Sequence, residues 1–116
     1  KIDPEEAQSH YNLGVALFEE GRLERAIERF SEALEIDPQH VDARRNLIFV
    51  LDKTIEGYRQ ALQSAPNHAE MHNNLGVLLL RKGEVDEAIH HFSEAIRIDP
   101  SDRTARANLD RAQSIR

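Results

Sequence analysis

The chain contains the same segment twice. Residues 11–38 recur as residues 73–100, a shift of 62 positions, and both copies carry Leu-Gly, Ala-Ile, Phe-Ser-Glu-Ala and Ile-Asp-Pro at matching places. Self-similarity on this scale is typical of repeat architectures, in which each unit has an apolar face that only a neighbouring unit covers. The repeat therefore predicts a stack of similar units within one small domain of 116 residues.

The composition narrows the possible classes of protein. With 40% hydrophobic and 31% charged residues, the chain is too apolar to be disordered and too polar to lie in a membrane. It has no cysteine, which excludes disulfides and thiol chemistry, and its net charge of -6 argues against nucleic acid as a partner. We expect a cytoplasmic location. An Ile-Asp-Pro at residues 2–4 indicates that the chain starts in the tail of a preceding repeat and is a fragment.

Each copy has the pattern of two amphipathic helices separated by a glycine. In the first copy, Leu13 and Leu17 are four positions apart, and Ala26, Phe30 and Ala33 follow at spacings of four and three, which places each set on one face of its helix. Gly21 suits the end of a helix where φ is positive, and Pro38 ends the second helix. Glycine and proline recur at residues 83 and 100, so the second copy predicts the same helical hairpin.

This pattern resembles the tetratricopeptide repeat, which has a Leu-Gly pair, a large residue, an Ala, an aromatic residue, a second Ala and a closing Pro. The matching residues are Leu13, Gly14, Leu17, Ala26, Phe30, Ala33 and Pro38 in the first copy, and Leu75, Gly76, Leu79, Ala88, Phe92, Ala95 and Pro100 in the second. The resemblance covers essentially the whole chain and is strongest to the arrays of O-linked N-acetylglucosamine transferase-type proteins. It implies an all-α helix-turn-helix solenoid, a segment of a right-handed superhelix.

The resemblance also implies how the single domain is divided. The expected segments are residues 1–6 as the tail of a preceding repeat, 7–40 as repeat 1, 41–68 as a shortened repeat 2, 69–102 as repeat 3, and 103–116 as a C-terminal solvating helix.

The middle repeat has lost its turn. Leu17 and Ala26 are nine positions apart in the first repeat, whereas the matching Leu51 and Thr54 are three apart, so six residues are missing. Three positions is a helical interval, and within residues 42–64 only Gly57 disfavours a helix. We therefore predict one continuous helix of roughly 22 residues, about 33 Å long, in place of a hairpin.

A fused helix cannot fold back on itself, which leaves an apolar stripe that a second chain could cover. We expect an antiparallel, domain-swapped homodimer, since an exposed stripe of this length is unfavourable in water. The residues expected in this contact are Leu47, Val50, Leu51, Thr54, Ile55 and Tyr58. One alternative is a monomer whose two lobes are held apart. Another is that the printed sequence omits a disordered turn, but the continuous numbering argues against this.

An asparagine recurs at one motif position in every first helix. The tetratricopeptide resemblance implies that this position faces a concave peptide-binding groove, and it resembles the asparagine ladder of O-linked N-acetylglucosamine transferase and of kinesin light chains. An amide both donates and accepts hydrogen bonds, so it suits a peptide backbone. The asparagine row consists of Asn12, Asn46, Asn74 and Asn108. The neighbouring candidates are Tyr11, Val15, Arg45, Phe49, Asn73 and Val77, which either contact the ligand or pack between repeats.

The family's carboxylate clamp for chaperone C-termini is not expected here. That clamp needs lysine, arginine and asparagine at fixed positions, and the matching residues are Tyr11, Val15, Asn46, Glu70 and Asn74. Only Asn46 fits, and the cations that would pair with a terminal carboxylate are absent.

We expect neither a metal site nor catalytic residues. His68 and His72 are four positions apart, a metal-ligand spacing on a helix, but His68 follows Pro66 too closely to be well inside the helix. His90 and His91 are adjacent, so their side chains point to different sides. The sequence contains no phosphate loop, nucleophile elbow or Cys–His pair, and we expect no cofactor.

These observations favour a non-catalytic protein-interaction module that holds an extended peptide or protein segment along the asparagine row, with no nucleic acid and no membrane as partners. Two alternatives stay open. The chain could be the substrate-recruiting part of a larger enzyme, such as a glycosyltransferase, or a purely structural module that makes oligomers.

Overall fold

The computed structural model describes residues 3–116, and within that range the chain forms six α-helices and no strand. The helices are α1 (Pro4–Glu19), α2 (Leu23–Ile36), α3 (Val41–Ser64), α4 (Ala69–Lys82), α5 (Val85–Ile98) and α6 (Arg103–Ile115). The all-α prediction is confirmed. None of the helices in the described range is both long and apolar enough to cross a bilayer.

The helix ends follow from local chemistry. Gly21 and Gly83 have φ values of 80° and 93°, and the backbone N–H of Gly83 caps α4 by bonding to the carbonyl of Leu80. At the opposite end of a helix, the Asp102 carboxylate accepts from the backbone N–H of Ala105 at 3.1 Å and starts α6. The glycine that we expected at the end of the first helix is therefore confirmed as a positive-φ residue.

The Ile-Asp-Pro tripeptide has different roles at its different positions. Asp37 and Asp99 follow the last residues of α2 and α5. Asp3 instead starts α1, because its side chain accepts from the backbone N–H of Glu5 at 3.1 Å and Pro4 occupies the first turn, where proline is tolerated. Residues 4–6, assigned from the sequence to a preceding tail, are thus the first turn of α1, and residues 1 and 2 lie outside the described range.

The chain divides into two compact units, residues 1–54 and 55–116. Unit 1 contains α1, α2 and the first part of α3, and unit 2 contains the rest of α3 with α4, α5 and α6. In each unit a glycine lets a phenylalanine ring approach the neighbouring helix. A Cβ added to Gly14 would lie 2.6 Å from the Phe30 ring, and one added to Gly76 would lie 2.5 Å from the Phe92 ring.

Helix α3 is continuous over 24 residues, about 36 Å at 1.5 Å per residue. The predicted fusion of the two middle helices is confirmed. Gly57 lies within α3, and no neighbouring atom would come within 4 Å of a Cβ there. Packing therefore does not require a glycine at this position. Removal of the six-residue turn, and not any special residue, accounts for the long helix.

The apolar stripe on α3 is not exposed in a single chain, contrary to our expectation. Val50, Leu51, Thr54 and Ile55 are each less than 9% exposed, and Leu47 and Tyr58 are half-buried. Each half of α3 packs within its own unit, as the contacts of Phe49 with Phe18 and of Tyr58 with Asn74 illustrate. The unfavourable exposure that argued for a domain swap is therefore absent.

The leucine of the Leu-Gly pair differs between the copies. Leu75 is 0% exposed, whereas Leu13, expected on the buried face, is 43% exposed. In unit 2 the second part of α3 precedes α4 and contacts it, as the Asn74–Tyr58 bond shows. Among the described residues no helix precedes α1, so the corresponding face at Leu13 is open.

Candidate functional site

In unit 1 the predicted groove residues lie on α1 and on the first part of α3. Asn12 is exposed, and its Oδ1 accepts a hydrogen bond from Gln8 Nε2 at 3.0 Å. Asn46 is half-buried, and its Nδ2 donates to the Tyr11 hydroxyl at 3.2 Å. Unit 1 therefore brings two members of the asparagine row and Tyr11 onto adjacent helices, with one amide already engaged within the protein.

A cavity of about 150 Å³ opens beside Asn46. It is lined by Val15, Phe18, Phe30, Asn46, Phe49 and Val50. Phe49 is 53% exposed, packs edge-on against Phe18 at a centroid distance of 5.7 Å, and has the Lys53 ammonium 5.5 Å from its ring centre. The result is a small apolar recess with one amide in its lining and a cation nearby.

In unit 2 the asparagines are more enclosed. Asn108 and Asn73 are only 7% and 9% exposed, and Asn108 Nδ2 donates to Asn73 Oδ1 at 3.1 Å. Arg111 Nη2 donates to Asn108 Oδ1 at 2.7 Å. These two amides join α4 to α6, so in this chain they pack between helices and do not present an open polar surface.

The remaining candidates of both units are partly or fully accessible. Asn74 is half-buried, with its Nδ2 3.5 Å from the Tyr58 hydroxyl, a long hydrogen bond. Val15 and Val77 are half-buried, and Arg45 is exposed. The surface that stays available to a ligand therefore differs between the units. In unit 1 this surface contains the apolar recess, and in unit 2 it contains Asn74 and Val77 of α4.

Histidines in unit 2 meet in a way that the sequence did not indicate. His68 is the N-cap of α4, and its Nδ1 accepts from the backbone N–H of Met71 at 3.3 Å. His72 contacts His91 across the α4–α5 hairpin, with their Nδ1 atoms 3.0 Å apart, their ring centroids 5.2 Å apart and their ring planes at 26°. The His90 ring packs edge-on against His91. Thus His68 and His72 do not form a ligand pair, and two histidines 19 positions apart do meet.

The hydrogen bonds of this histidine pair fix its protons. His72 Nε2 lies 2.8 Å from the Pro66 carbonyl oxygen, which only accepts, so Nε2 carries hydrogen and the Nδ1 of neutral His72 is an acceptor. His91 Nδ1–H must then be the donor between the rings. Burial, together with the neighbouring His90 and His72, lowers the pKa of His91 to about 4.

A carboxylate and a guanidinium flank the pair. Glu87 Oε2 lies 3.9 Å from His91 Nε2 and accepts from Arg59 Nη2 at 2.6 Å. In the part of the chain that the structure describes, no three His, Cys, Asp or Glu side chains are arranged to hold a metal ion. Side chains of α3, α4 and α5 therefore meet around the histidine pair.

Three of these features were missed from the sequence. Phe18 lines the recess and Lys53 lies over the Phe49 ring, and no motif position marks either residue. His91 had a detectable signal, since it replaces Arg29 of the first copy, where Arg29 Nη1 lies 3.4 Å from His10 Nδ1. The pair His10 and Arg29 thus corresponds to His72 and His91.

Comparison with known proteins agrees with this geometry. Two family models, both described as tetratricopeptide repeat, match residues 7–40 and 55–103, which together are more than half of the chain. The small glutamine-rich tetratricopeptide repeat-containing protein 2 of Mycosarcoma maydis is 36% identical over 47 residues, which is 40% of this chain and 13% of that protein. The chain therefore spans only a small part of this relative.

Solved structures share the fold. The first tetratricopeptide domain of Spaghetti (RPAP3), bound to the HSP90 peptide SRMEEVD, has a TM-score of 0.53 at 14% identity, covering 98% of this chain and 95% of that one. The second such domain of human RPAP3, in complex with an HSP70 peptide, has a TM-score of 0.54 at 20% identity, covering 96% and 98%.

A third match is more similar in sequence. A chain of the APC/C hetero-tetramer Cut9-Hcn1 has a TM-score of 0.54 at 26% identity, covering 89% of this chain and 22% of that one. Since the family models match both copies of the repeat and the helical fold agrees, this chain belongs to the tetratricopeptide repeat family.

Proposed function

We propose that this chain is a non-catalytic protein-interaction module that holds an extended peptide or protein segment on the first helices of its repeats. The observation that carries the proposal is the recess in unit 1, where Phe49 is 53% exposed beside a cavity of about 150 Å³. Aromatic side chains are enriched where proteins bind one another. The recess has room for one apolar side chain of the partner.

The asparagine row supplies the polar part of the proposed contact. Asn12 is exposed and Asn46 lines the recess, which supports a role for both amides in pairing with the partner's backbone. In unit 2 the proposed contact includes Asn74 and Val77. Asn73 and Asn108 are not part of this contact, because they are buried and hydrogen-bonded to each other.

The comparisons support a peptide as the class of partner. Two solved structures of this fold are described as bound to HSP90 and HSP70 peptides. Because their sequence identity to this chain is low, these structures support its fold but do not identify its partner. The two lysines and the arginine of a carboxylate clamp are absent at the matching positions, Tyr11, Glu70 and Asn74. We therefore propose that the recess binds an internal apolar side chain and not a C-terminal carboxylate.

The parent protein's activity is a separate question. Since the chain spans 13% of the relative from Mycosarcoma maydis, a catalytic domain elsewhere in a longer protein is compatible with the proposal, and this segment would then recruit the substrate. A likeness to glycosyltransferase arrays and a cytoplasmic location stay predictions from the sequence.

Selection of peptides tests the proposal directly. A random peptide library is selected on the whole chain, and the enriched peptides are measured against Phe49→Ser and against Ile48→Ser as the matched control. Ile48 is also exposed, at 48%, but does not line the recess. We expect Phe49→Ser to weaken binding at least about tenfold, as loss of a central aromatic contact does. Equal binding to both variants would refute the proposed recess.

Homodimerisation through α3 stays a prediction with a weaker basis. Four of the six residues expected at the contact are buried in one chain, namely Val50, Leu51, Thr54 and Ile55, so pairing of two long helices would require each unit to open. Light scattering over a concentration series decides the matter. A mass of twice 13.3 kDa would support the swap, and a constant 13.3 kDa would exclude it.

A further inference from the structure

The histidine pair of unit 2, His72 and His91, has a limited capacity for protons. His72 Nε2–H donates to the Pro66 carbonyl, and His91 Nδ1–H donates to His72 Nδ1. A first added proton fits on His91 Nε2, which faces Glu87 at 3.9 Å. His72 Nδ1 already accepts the hydrogen bond between the rings, so the intact pair offers no second free nitrogen. The intact pair therefore holds at most one extra proton.

The surroundings make even the first proton unfavourable. His72 is 7% exposed and the side chain of His91 is 14% exposed, so a charge there loses most of its hydration. The titratable and charged groups around the pair are Arg59 of α3, and Glu87, His90 and Glu94 of α5. Glu87 is already bonded to Arg59 at 2.6 Å, which reduces the attraction that it offers to a histidinium.

Unit 1 has the matching contact, made by different chemical groups. Arg29 Nη1 lies 3.4 Å from His10 Nδ1, and Glu32 Oε1 accepts from Arg29 Nη1 at 3.1 Å and lies 3.5 Å from the same His10 nitrogen. The contact in unit 1 therefore has a carboxylate beside the histidine nitrogen, whereas the two Nδ1 atoms of the unit 2 pair face each other. In place of a second imidazole, this hairpin has the Arg29 guanidinium.

We propose that the histidine pair makes the α4–α5 hairpin of unit 2 open in mildly acidic solution, while the α1–α2 hairpin of unit 1 stays closed. Opening exposes the face of α4 and separates the helices that the pair joins. This inference does not depend on a ligand. Because Asn74 and Val77 lie on α4, acid would also remove that part of the proposed binding surface, and only this last step rests on the proposed function.

The protonation pattern is tested first on the unmodified chain. Imidazole nitrogen chemical shifts in an NMR experiment at pH 7.5 with EDTA report which nitrogen carries hydrogen. We expect His72 as the Nε2–H form and His91 as the Nδ1–H form, which is the less common form of free histidine. An Nε2–H form of His91 would overturn the proposal, and this result depends on no variant.

The opening itself is then followed by amide signals of both hairpins from pH 8 to 4.5. We expect signals of α4 and α5 to be lost at a higher pH than those of α1 and α2. His91→Gln keeps an N–H donor for His72 but does not titrate, and it should shift the midpoint of unit 2 down by about one pH unit. The matched control, His90→Gln, removes a neighbouring histidine and leaves the pair in place.

Two outcomes would contradict the proposal. One is that both hairpins open at the same pH in the unmodified chain. The other is that His90→Gln shifts the midpoint as far as His91→Gln does, since this would assign the effect to general positive charge and not to the pair. The reverse variant, Arg29→His, should make unit 1 acid-sensitive.

Discussion

Asn108 Nδ2 donates a hydrogen bond to Asn73 Oδ1 at 3.1 Å, and this bond repeats one made 62 residues earlier, where Asn46 Nδ2 donates to the Tyr11 hydroxyl at 3.2 Å. In both cases an asparagine of one first helix bonds to the first helix of the preceding repeat. The recurrence gives the asparagine a structural reason to repeat, besides any contact with a ligand. It also explains why the row is only partly available for binding.

The first prediction concerns this inter-helix bond. Asn108→Ala should lower the free energy of unfolding by about 1–2 kcal/mol, because it removes a buried hydrogen bond and leaves Asn73 and Arg111 without their partner. Asn12→Ala is the control, since Asn12 is exposed, and should change stability by less than about 0.5 kcal/mol. Urea unfolding followed by circular dichroism measures both. Equal losses would show that the row has no special structural role in unit 2.

The second prediction concerns the glycines. Gly76→Ala places a Cβ 2.5 Å from the buried Phe92 ring, so it should destabilise the chain by about 1–3 kcal/mol through overpacking. Gly57→Ala places a Cβ in open space within α3 and should stabilise the chain by up to about 1 kcal/mol through helix propensity. Thermal unfolding gives both values. A stabilising Gly76→Ala would contradict the packing described here.

The third prediction concerns pH. The pKa of His91 is lowered from 6.5 to about 4 in the folded chain, so the unfolded chain binds more protons at this site between those values. The stability that this difference contributes is complete above pH 6.5 and is lost as the pH decreases toward 4. From pH 8 to pH 5, the unfolding equilibrium constant should rise about 30-fold at this site.

Urea titrations at several pH values measure the effect, and His91→Gln provides the reference. The variant should lose most of the pH dependence in this window. If the unfolding free energies of the unmodified chain and of His91→Gln change equally with pH between pH 6.5 and 5, His91 does not make the predicted contribution.

The fourth prediction compares two aromatic residues that both line the recess. Phe30 is 1% exposed, and Phe30→Ala should cost about 3–5 kcal/mol of folding free energy. Phe49 is 53% exposed, and Phe49→Ala should cost less than about 1 kcal/mol while reducing the binding of selected peptides. The unfolding midpoint and the peptide affinity of each variant separate the two roles. A large stability loss in Phe49→Ala would make Phe49 a core residue and remove the main support for the recess.

The helices were predictable because their signals are local. The three-residue interval between Leu51 and Thr54 was enough to predict that α3 is continuous, and the positive φ of Gly21 and Gly83 follows from their places after helical patterns. Such features depend on spacing and on backbone sterics within a few residues. They do not require knowledge of what lies across the interface.

Burial was harder to predict, because it depends on which helix covers a given face. Leu13 and Leu75 occupy the same motif position, yet one is 43% exposed and the other is fully buried. Asn73 and Asn108 lie in different helices, and no sequence period indicates that their amides meet. The contact between His72 and His91 spans the hairpin, and only comparison with His10 and Arg29 of the other copy would have drawn attention to it.

The close approach of Gly76 to Phe92 has a consequence for how such a repeat can change over time. The ring fills the volume that a side chain at position 76 would need, so neither residue is free to vary alone. Enlargement of one is tolerated only when the other becomes smaller, and Gly76→Ala combined with Phe92→Leu should recover part of the stability that Gly76→Ala loses. Gly14 and Phe30 approach each other in the same way. In each hairpin a substitution of the glycine is therefore coupled to one of the phenylalanine, and each hairpin can accumulate such paired substitutions independently of the other.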